Sequence, residues 1–159
     1  MLNVSANLLF QTYVSYQKFS PEDMHVLCNP HSTDFPTFNA SRANHRERVV
    51  QLFQIFAYLK STLGNITQEQ TILNSNAQDL LDLLGNTTAI IKAVISNLTC
   101  RLCNHFHVTS VDIYYGKPAR QIFDQKKKGC RVLHKYTQFI SEVADLQTHL
   151  YRLGHRLSY

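Results

Sequence analysis

Three long stretches of the chain place apolar residues three or four positions apart, and this spacing constrains the fold more than any other feature. Such a period puts the apolar side chains of each stretch on one face of an α-helix. The three stripes consist of Val49, Leu52, Phe53, Phe56, Leu59 and Leu63, of Leu80, Leu83, Leu84, Ile91, Val94, Ile95, Leu98 and Leu102, and of Val132, Leu133, Tyr136, Phe139, Ile140, Val143, Leu146, Leu150 and Leu153. A shorter pattern between Leu2 and Tyr16 predicts the C-terminal part of a further helix, so that the first helix is expected to be truncated at residue 1.

Composition favours one helical domain covering residues 1–159. The chain of 159 residues is 44% hydrophobic and 17% charged, which provides for a core and argues against general disorder. Its 5 glycines and 4 prolines are few for a sandwich or barrel that turns about every 8–12 residues. No apolar run approaches the ~20 residues that span a bilayer, so no membrane insertion is expected.

Local signals predict where the long helices begin and end. Ser41 is a favourable N-cap for the first of them, and Gly64–Asn65 predicts its end. The second is expected from about Asn76 to Phe106, with a bend allowed at Gly85–Asn86.

Two long connections separate these helices, at about 18–40 and 108–123, whereas the link between the two middle helices is short. Neighbouring antiparallel helices are usually joined by about 2–8 residues, so the long connections must cross the length of the molecule. Two crossovers are typical of an all-α, up-up-down-down four-helix bundle of the long-chain cytokine type. The stretch 111–115 could form a small strand in the second crossover, and the last helix is expected to start near Asp124.

The sequence contains no signature of an enzyme. Phosphate-binding, dinucleotide-binding, nucleophile-elbow and zinc-protease motifs are all missing, and the carboxylates are few and scattered. No catalytic residue and no cofactor is therefore expected.

Four cysteines leave more than one interpretation open. Cys100 and Cys103 form a C-x-x-C spacing, and a zinc site with His105 and His107 is chemically conceivable but too compact along the chain to be favoured. If Cys28 and Cys130 pair with each other, the bond closes a loop of about 100 residues and is worth about 4.7 kcal/mol in chain entropy. Cys100 and Cys103 would then be unpaired.

Five N-x-[ST] sequons, at Asn3, Asn39, Asn65, Asn86 and Asn97, are more than chance predicts and indicate a glycosylated, secreted protein. The N-terminus, however, does not have the pattern of a secretory leader. We therefore expect an extracellular protein, with a cytosolic variant as the alternative if Met1 is a true start.

Several motifs together resemble the leukaemia inhibitory factor group of the interleukin-six cytokine family. They are Leu27-Cys28, Thr33-Asp34-Phe35-Pro36, Ser61-Thr62-Leu63-Gly64-Asn65-Ile66-Thr67, Ile72-Leu73-Asn74, Cys100-Arg101-Leu102-Cys103, Val111-Asp112, Tyr115-Gly116 and Lys126-Lys127-Lys128-Gly129-Cys130. The resemblance runs from Leu2 to about Ala144, and residues 147–159 extend beyond it. It implies a Cys28–Cys130 disulfide, with Cys100 and Cys103 lacking partners in this chain, and a monomeric cytokine without metal or nucleic-acid ligand.

The resemblance also implies two receptor-binding surfaces. Phe123 and Lys126 match a Phe-x-x-Lys motif that binds the leukaemia inhibitory factor receptor, with Arg120, Lys127 and the segment Phe19-Ser20-Pro21 nearby. Ala93 and Asn97 match positions that bind the shared signal-transducing subunit of the interleukin-six family. Because the first helix is expected to be incomplete and Asn97 begins a sequon, this second surface is the less intact. The resemblance implies a cytokine that bridges the two receptor chains and activates JAK/STAT signalling, and binding of the first receptor without signalling is the alternative for this form.

Basic residues are concentrated near the C-terminus, and they allow a different interpretation. Residues 117–159 hold nine lysines and arginines against three acidic residues. This charge can steer the chain towards an acidic receptor surface. The alternative is a polyanion-binding module on Lys126-Lys127-Lys128, although no aromatic platform or groove-reading motif supports binding of nucleic acid.

Overall fold

A computed structural model describes residues 2–29, 31, 34–39 and 44–156, with the backbone alone for Leu2 and residues 146–156. This part of the chain forms α-helices and contains no β-strand. The helices are α1 (Leu2–Gln17), α2 (Pro21–Leu27), α3 (His45–Leu73), α4 (Gln78–Phe106) and α5 (Ile122–Arg156). The prediction of an all-α protein is confirmed.

Contacts at one end of the bundle define the directions of the four long helices. Gln17 at the end of α1 pairs with Gln70 near the end of α3, so these two helices run in the same direction. Tyr13 near the end of α1 donates to the carbonyl of Lys126 near the start of α5, so α5 runs the opposite way. The short link 74–77 reverses the chain between α3 and α4. This is the predicted up-up-down-down arrangement.

The apolar stripes of the four long helices line one core, together with aromatic residues of the first crossover. Phe139 of α5 lies among these aromatic rings. Its ring centroid is 5.3 Å from that of Phe56 on α3, and 5.6 and 6.1 Å from those of Phe38 and Phe35 on the first crossover. The crossover is thereby packed onto the bundle. The predicted stripe positions Leu146, Leu150 and Leu153 lie outside the described side chains.

The start of α3 is fixed by a capping box. The Asn44 side chain accepts from the backbone N–H of Glu47 at 2.9 Å, and the Glu47 carboxylate accepts from the backbone N–H of Asn44 at 3.2 Å. These reciprocal bonds satisfy two backbone donors that a helix start would otherwise leave open. The predicted cap Ser41 lies outside the described residues.

Gly64 and Gly85 both lie inside long helices. The predicted stop at Gly64–Asn65 is wrong, because α3 continues to Leu73 and buries Ile66 and Gln70 in doing so. Burial of these further residues outweighs the cost of about 1 kcal/mol for a glycine inside a helix. α4 likewise runs without interruption through Gly85–Asn86.

The second crossover, between α4 and α5, follows the outer side of α3. The small strand predicted at 111–115 is not formed, because this segment pairs with side chains rather than with another strand. Gln54 of α3 donates to the carbonyl of Asp112 at 3.1 Å, and the ring of Tyr114 stacks on that of Tyr58 with centroids 6.5 Å apart. α5 then begins at Ile122, two residues before the predicted start.

A disulfide joins the first crossover to α5. Cys28, the C-cap of the short helix α2, is bonded to Cys130, with a Cα–Cα distance of 5.1 Å and both side chains buried. The guanidinium of Arg131 donates to the carbonyl of Leu27 at 2.8 Å beside it. The implied Cys28–Cys130 bond is confirmed, and α2 is a helix that the sequence patterns did not reveal.

Removing this disulfide should lower the stability of the chain strongly. The bond spans 102 residues, and cross-links of this loop length are worth about 4.7 kcal/mol in chain entropy. We expect the Cys28→Ser, Cys130→Ser variant to lose about 2–5 kcal/mol in the free energy of unfolding, measured by urea denaturation. The matched control is Cys100→Ser, Cys103→Ser, which removes two exposed thiols and should change the free energy by less than about 0.5 kcal/mol. Equal losses in both variants would contradict this prediction.

Two buried tyrosines should make the fold sensitive to alkali. Burial raises the pKa of Tyr136 to about 12 and raises the pKa of Tyr13 further, with a contribution from the Glu69 carboxylate. Unfolding returns both groups to a pKa of about 10, so the folded chain binds more protons above that pH. The stabilising contribution of Tyr136 is complete below pH ~10 and is lost as the pH rises to ~12, whereas that of Tyr13 continues to fall at higher pH. Burial also raises the pKa of Tyr58, which adds to the effect.

The free energy of unfolding should therefore fall above pH ~10, by up to about 1.4 kcal/mol per pH unit for each buried tyrosine whose pKa is raised. Urea denaturation at a series of pH values measures this slope. Tyr136→Phe should remove the share of one buried tyrosine, whereas Tyr115→Phe, at an exposed position, should leave the slope unchanged. A flat profile up to pH ~11 in the parent chain would rule out this linkage.

Candidate receptor-binding surfaces

The first turn of α5 presents an exposed aromatic side chain. Phe123 is 53% exposed, and its neighbour Ile122 is exposed to a similar degree. The ammonium of Lys127 lies 5.1 Å from the centroid of the Phe123 ring and 3.3 Å from the carboxylate of Asp124. These contacts hold Lys127 beside the ring while much of the ring remains accessible. Phe123 therefore lies on the surface and is not part of the buried core.

Lys126 differs from the lysines that follow it. It is half-buried, and within the described residues its ammonium has no hydrogen bond or ion pair. Lys127 is paired with Asp124, and Lys128 donates to the backbone carbonyl of Lys117. Of the three consecutive lysines, Lys126 is therefore the one whose ammonium is available to a partner. Three contiguous free cations, as a polyanion-binding module would need, are not found here.

Arg120 and the segment Phe19-Ser20-Pro21 lie towards the same end of the bundle. Arg120 is exposed, two residues before α5 begins. Ser20 is the N-cap of α2, where its hydroxyl accepts from the backbone N–H of Asp23 at 3.2 Å, and Pro21 is the first residue of that helix. Phe19 is half-buried against the core. The local structure thus accounts for Ser20 and Pro21 by helix capping.

A cavity of about 350 Å³ lies beside this turn, and the sequence patterns did not reveal it. It is formed between the end of α3 and the start of α5, with Ile72, Leu73 and Ile122 among the apolar residues that line it. Ile72 is 82% exposed. Ile72 does not belong to the buried apolar stripe of α3. An apolar residue outside the stripe is the sequence signal that could have identified this cavity.

Two ionisable groups also line this cavity, and they act on each other. Burial raises the pKa of the Glu69 carboxyl, and the Lys128 ammonium partly opposes that shift. Glu69 is the acidic residue of the cavity lining and Lys128 the basic one, and the remaining lining residues are apolar or uncharged.

A second exposed surface lies on α1 and α4. Ala93 and Asn97, one turn apart on α4, are both exposed, as the resemblance implied. Ile90 of α4 is also partly exposed, and so are Val4 and Leu8 of α1, at 73% and 49%. α1 packs directly on α4, and the Tyr16 hydroxyl donates to the Asp79 carboxylate at 2.6 Å. Because the two helices run antiparallel, Leu8 lies at about the level of Ile90.

The apolar part of this surface was missed from the sequence. Val4 and Leu8 are spaced four residues apart and lie outside the buried stripe of α1, which consists of Ala6, Leu9 and Tyr13. Exposed apolar residues that cluster on neighbouring helices commonly mark an interaction site. A second, weaker apolar stripe on the same helix is the sequence signal that could have located it.

Four of the five sequon asparagines are exposed, namely Asn39, Asn65, Asn86 and Asn97, whereas Asn3 in α1 is half-buried. Three of the exposed ones lie within helices. There the sequon threonine donates its hydroxyl to the carbonyl four residues earlier, as Thr67, Thr88 and Thr99 do. Ser41 of the Asn39 sequon is outside the described residues.

Cys100 and Cys103 are free and exposed near the end of α4. The zinc interpretation finds no support, because no group of three or more His, Cys, Asp or Glu side chains in the described part of the chain is arranged to hold a metal ion. Among the helices described, none is long and apolar enough to cross a membrane.

Comparison with known families agrees with these features. The family model described as the LIF / OSM family matches residues 1–146, which includes every helix up to the middle of α5. The match ends at residue 146, close to Ala144, where the resemblance was expected to end. Proteins of this family are secreted cytokines that bind receptors of the family to which the shared signal-transducing subunit belongs. The chain therefore belongs to the LIF / OSM family, and it is a helical cytokine of the interleukin-six type rather than an enzyme.

Proposed function

We propose that this chain acts as a monomeric, extracellular ligand that binds the leukaemia inhibitory factor receptor through the first turn of α5. The single observation that carries the proposal is the exposed ring of Phe123 one turn from the unpaired ammonium of Lys126. In the free chain the exposed Phe123 ring leaves apolar area in contact with water, and contact with a partner would bury that area. The pair has the composition of an interface anchor.

The physical roles of the two side chains differ. A large aromatic side chain that enters a partner pocket removes apolar area from water and commonly dominates the binding energy of an interface. A lysine beside it directs the complex towards an acidic group on the partner and increases the association rate. Arg120 and Lys127 add positive charge around the same turn. Phe19, Ser20 and Pro21 complete the proposed contact from the turn between α1 and α2.

The surface of α1 and α4 is proposed to recruit the shared signal-transducing subunit. Ala93 leaves space for close approach of a partner, and Asn97 offers an amide at the edge of the apolar residues Val4, Leu8 and Ile90. Such a site combines an apolar centre with a polar rim.

The two surfaces can serve different receptor chains at the same time. One lies at the end of the bundle where α5 begins, and the other lies along the side formed by α1 and α4. Bridging two receptor chains in this way would bring their cytoplasmic kinases together and activate JAK/STAT signalling that regulates cell growth and differentiation. Glycans are proposed at the exposed positions Asn39, Asn65 and Asn86, whereas a glycan at Asn97 would cover this side surface, so the recruiting form is proposed to leave Asn97 unmodified.

The first prediction from this proposal concerns the α5 turn. Phe123→Ala combined with Lys126→Ala should weaken binding to the receptor ectodomain by about 2 kcal/mol or more, roughly 30-fold. Surface-plasmon resonance measures the affinity, and circular dichroism checks that the helices are retained. The matched control is Tyr115→Ala combined with Lys92→Ala, which removes an aromatic ring of similar exposure and a lysine of α4. Equal affinity in the parent and the Phe123, Lys126 variant would refute the proposed contact.

The second prediction concerns the side surface. Leu8→Arg combined with Ala93→Arg should leave receptor affinity within about twofold of the parent and should reduce recruitment of the shared subunit by about tenfold or more, since unpaired charge is placed in an apolar contact. Recruitment is measured as binding of the shared-subunit ectodomain to the preformed receptor complex. Val26→Arg, at an exposed apolar position of α2, serves as the control. Undiminished recruitment by the α1–α4 variant would exclude this surface.

A further inference from the structure

The turn of α5 that carries Phe123 and Lys126 rests on a buried tyrosine of α1. Tyr13 is fully buried, and its hydroxyl donates to the backbone carbonyl of Lys126 at 3.3 Å. On the next turn, Gly129 faces the same ring. A Cβ atom at Gly129 would overlap the Tyr13 hydroxyl and would lie 2.6 Å from its Cζ atom. The close approach of α1 to α5 at this level therefore requires glycine.

The same tyrosine is connected to α3 through a buried pair of amides. The Gln17 side-chain N–H group donates to the carbonyl of Tyr13 at 2.9 Å and to the side-chain oxygen of Gln70 at 3.0 Å. Asn74, which ends α3, donates from its side chain to the same Gln70 oxygen at 2.7 Å. Polar contacts thus run from the start of α5, through the end of α1, to the end of α3.

This polar network lies in a core that is mostly apolar, with Thr62, Thr87 and Thr137 as the other buried polar residues among those described. Polar groups in such a place are costly unless their hydrogen bonds are made, and a network that satisfies them has few alternative geometries. Apolar side chains could bury the same area, but they would allow the helices to slide or rotate relative to one another. The network therefore supplies a defined position of α5 on α1 rather than additional stability.

Tyr13 keeps its role as a donor under all physiological conditions. Burial raises the pKa of its hydroxyl, and the Glu69 carboxylate raises it further. The hydroxyl is consequently protonated wherever the cytokine acts. The bond to the Lys126 carbonyl is not a switch but a constant constraint.

We propose that Tyr13, accommodated by Gly129 and connected to α3 by Gln17 and Gln70, is a positioning residue that sets where the receptor-binding turn of α5 stands on the bundle. It contacts no receptor, because it is buried; it acts through the backbone of Lys126. This inference rests on the proposed function, since it concerns the surface formed by Phe123 and Lys126.

The test compares Tyr13→Phe with Tyr136→Phe in the complete chain. Tyr13→Phe removes the hydroxyl alone and should weaken binding to the receptor ectodomain by about three- to tenfold, the loss expected for one hydrogen bond. Tyr136 is buried about three turns further along α5, so its variant should reduce the thermal midpoint without changing affinity. Equal loss of affinity in both variants would assign the effect to general stability and overturn the proposal.

A double-mutant cycle separates positioning from stability more directly. In the Phe123→Ala, Lys126→Ala background, Tyr13→Phe should have no further effect on affinity, because the groups that it positions are gone. The same three- to tenfold loss in both backgrounds would overturn the proposal. The carbonyl 13C chemical shift of residue 126 should move in Tyr13→Phe and not in Tyr136→Phe.

Gly129→Ala provides an independent perturbation of the same contact. It should reduce receptor affinity as Tyr13→Phe does, whereas Gly85→Ala, where an added Cβ meets no atom within 4 Å, should not. If Gly129→Ala does not fold, the two tyrosine variants still decide the matter. Unchanged affinity in the Phe123, Lys126 variant would reject the proposed function together with this inference. Loss in that variant with unchanged affinity in Tyr13→Phe would reject the inference alone.

Discussion

The packing of α1 against α5 is the contact on which the rest of the molecule depends. α5 is the longest helix and carries the Phe123 turn, the disulfide partner Cys130 and the aromatic centre at Phe139. α1 contributes Ala6, Leu9 and Tyr13 to the buried face between the helices. Both proposed receptor surfaces use one member of this pair. A change in the position of α1 on α5 would therefore alter the distance between the two surfaces as well as each surface itself.

The bundle satisfies two requirements that usually conflict. Burial of apolar area favours a smooth, uniformly apolar interior, whereas binding two partners requires apolar and charged groups to remain exposed at defined places. In this structure the two requirements are met at different levels along the helices. Phe56, Phe139 and their neighbours fill the middle, and a satisfied polar network occupies the end from which Phe123 projects.

Much of the fold followed from the sequence because helical periodicity records which face is buried. The stripes of α3, α4 and α5 and the two crossovers predicted the topology before any contact was known. Helix ends were less predictable. Gly64–Asn65 lies inside α3, because the burial of Ile66 and Gln70 further along outweighs a local signal. α2 has only 7 residues, too few to show helical periodicity in the sequence. Ser20 is recognised as its N-cap only from the hydrogen bond that its side chain accepts from the backbone N–H of Asp23.

The candidate site was only partly predictable for a related reason. Phe123 and Lys126 were identified through resemblance and not through the spacing of apolar residues. Exposure depends on what a helix packs against, and a sequence pattern does not report that at the end of a helix. The sequence alone also does not distinguish Lys127 and Lys128 from Lys126. Only their contacts with Asp124 and with the Lys117 carbonyl show that both ammonium groups are already engaged.

The disulfide has a consequence for the order of events during biosynthesis. Cys28 and Cys130 are 102 residues apart, so Cys28 emerges from the ribosome long before its partner exists. At about 5–20 residues per second, several seconds pass before Cys130 is synthesised. During that interval α1, α3 and α4 can assemble, but the Cys28 thiol remains exposed to wrong partners, Cys100 and Cys103 among them. Because Cys130 lies in α5, the correct pair can be oxidised only after the last long helix has begun to be synthesised.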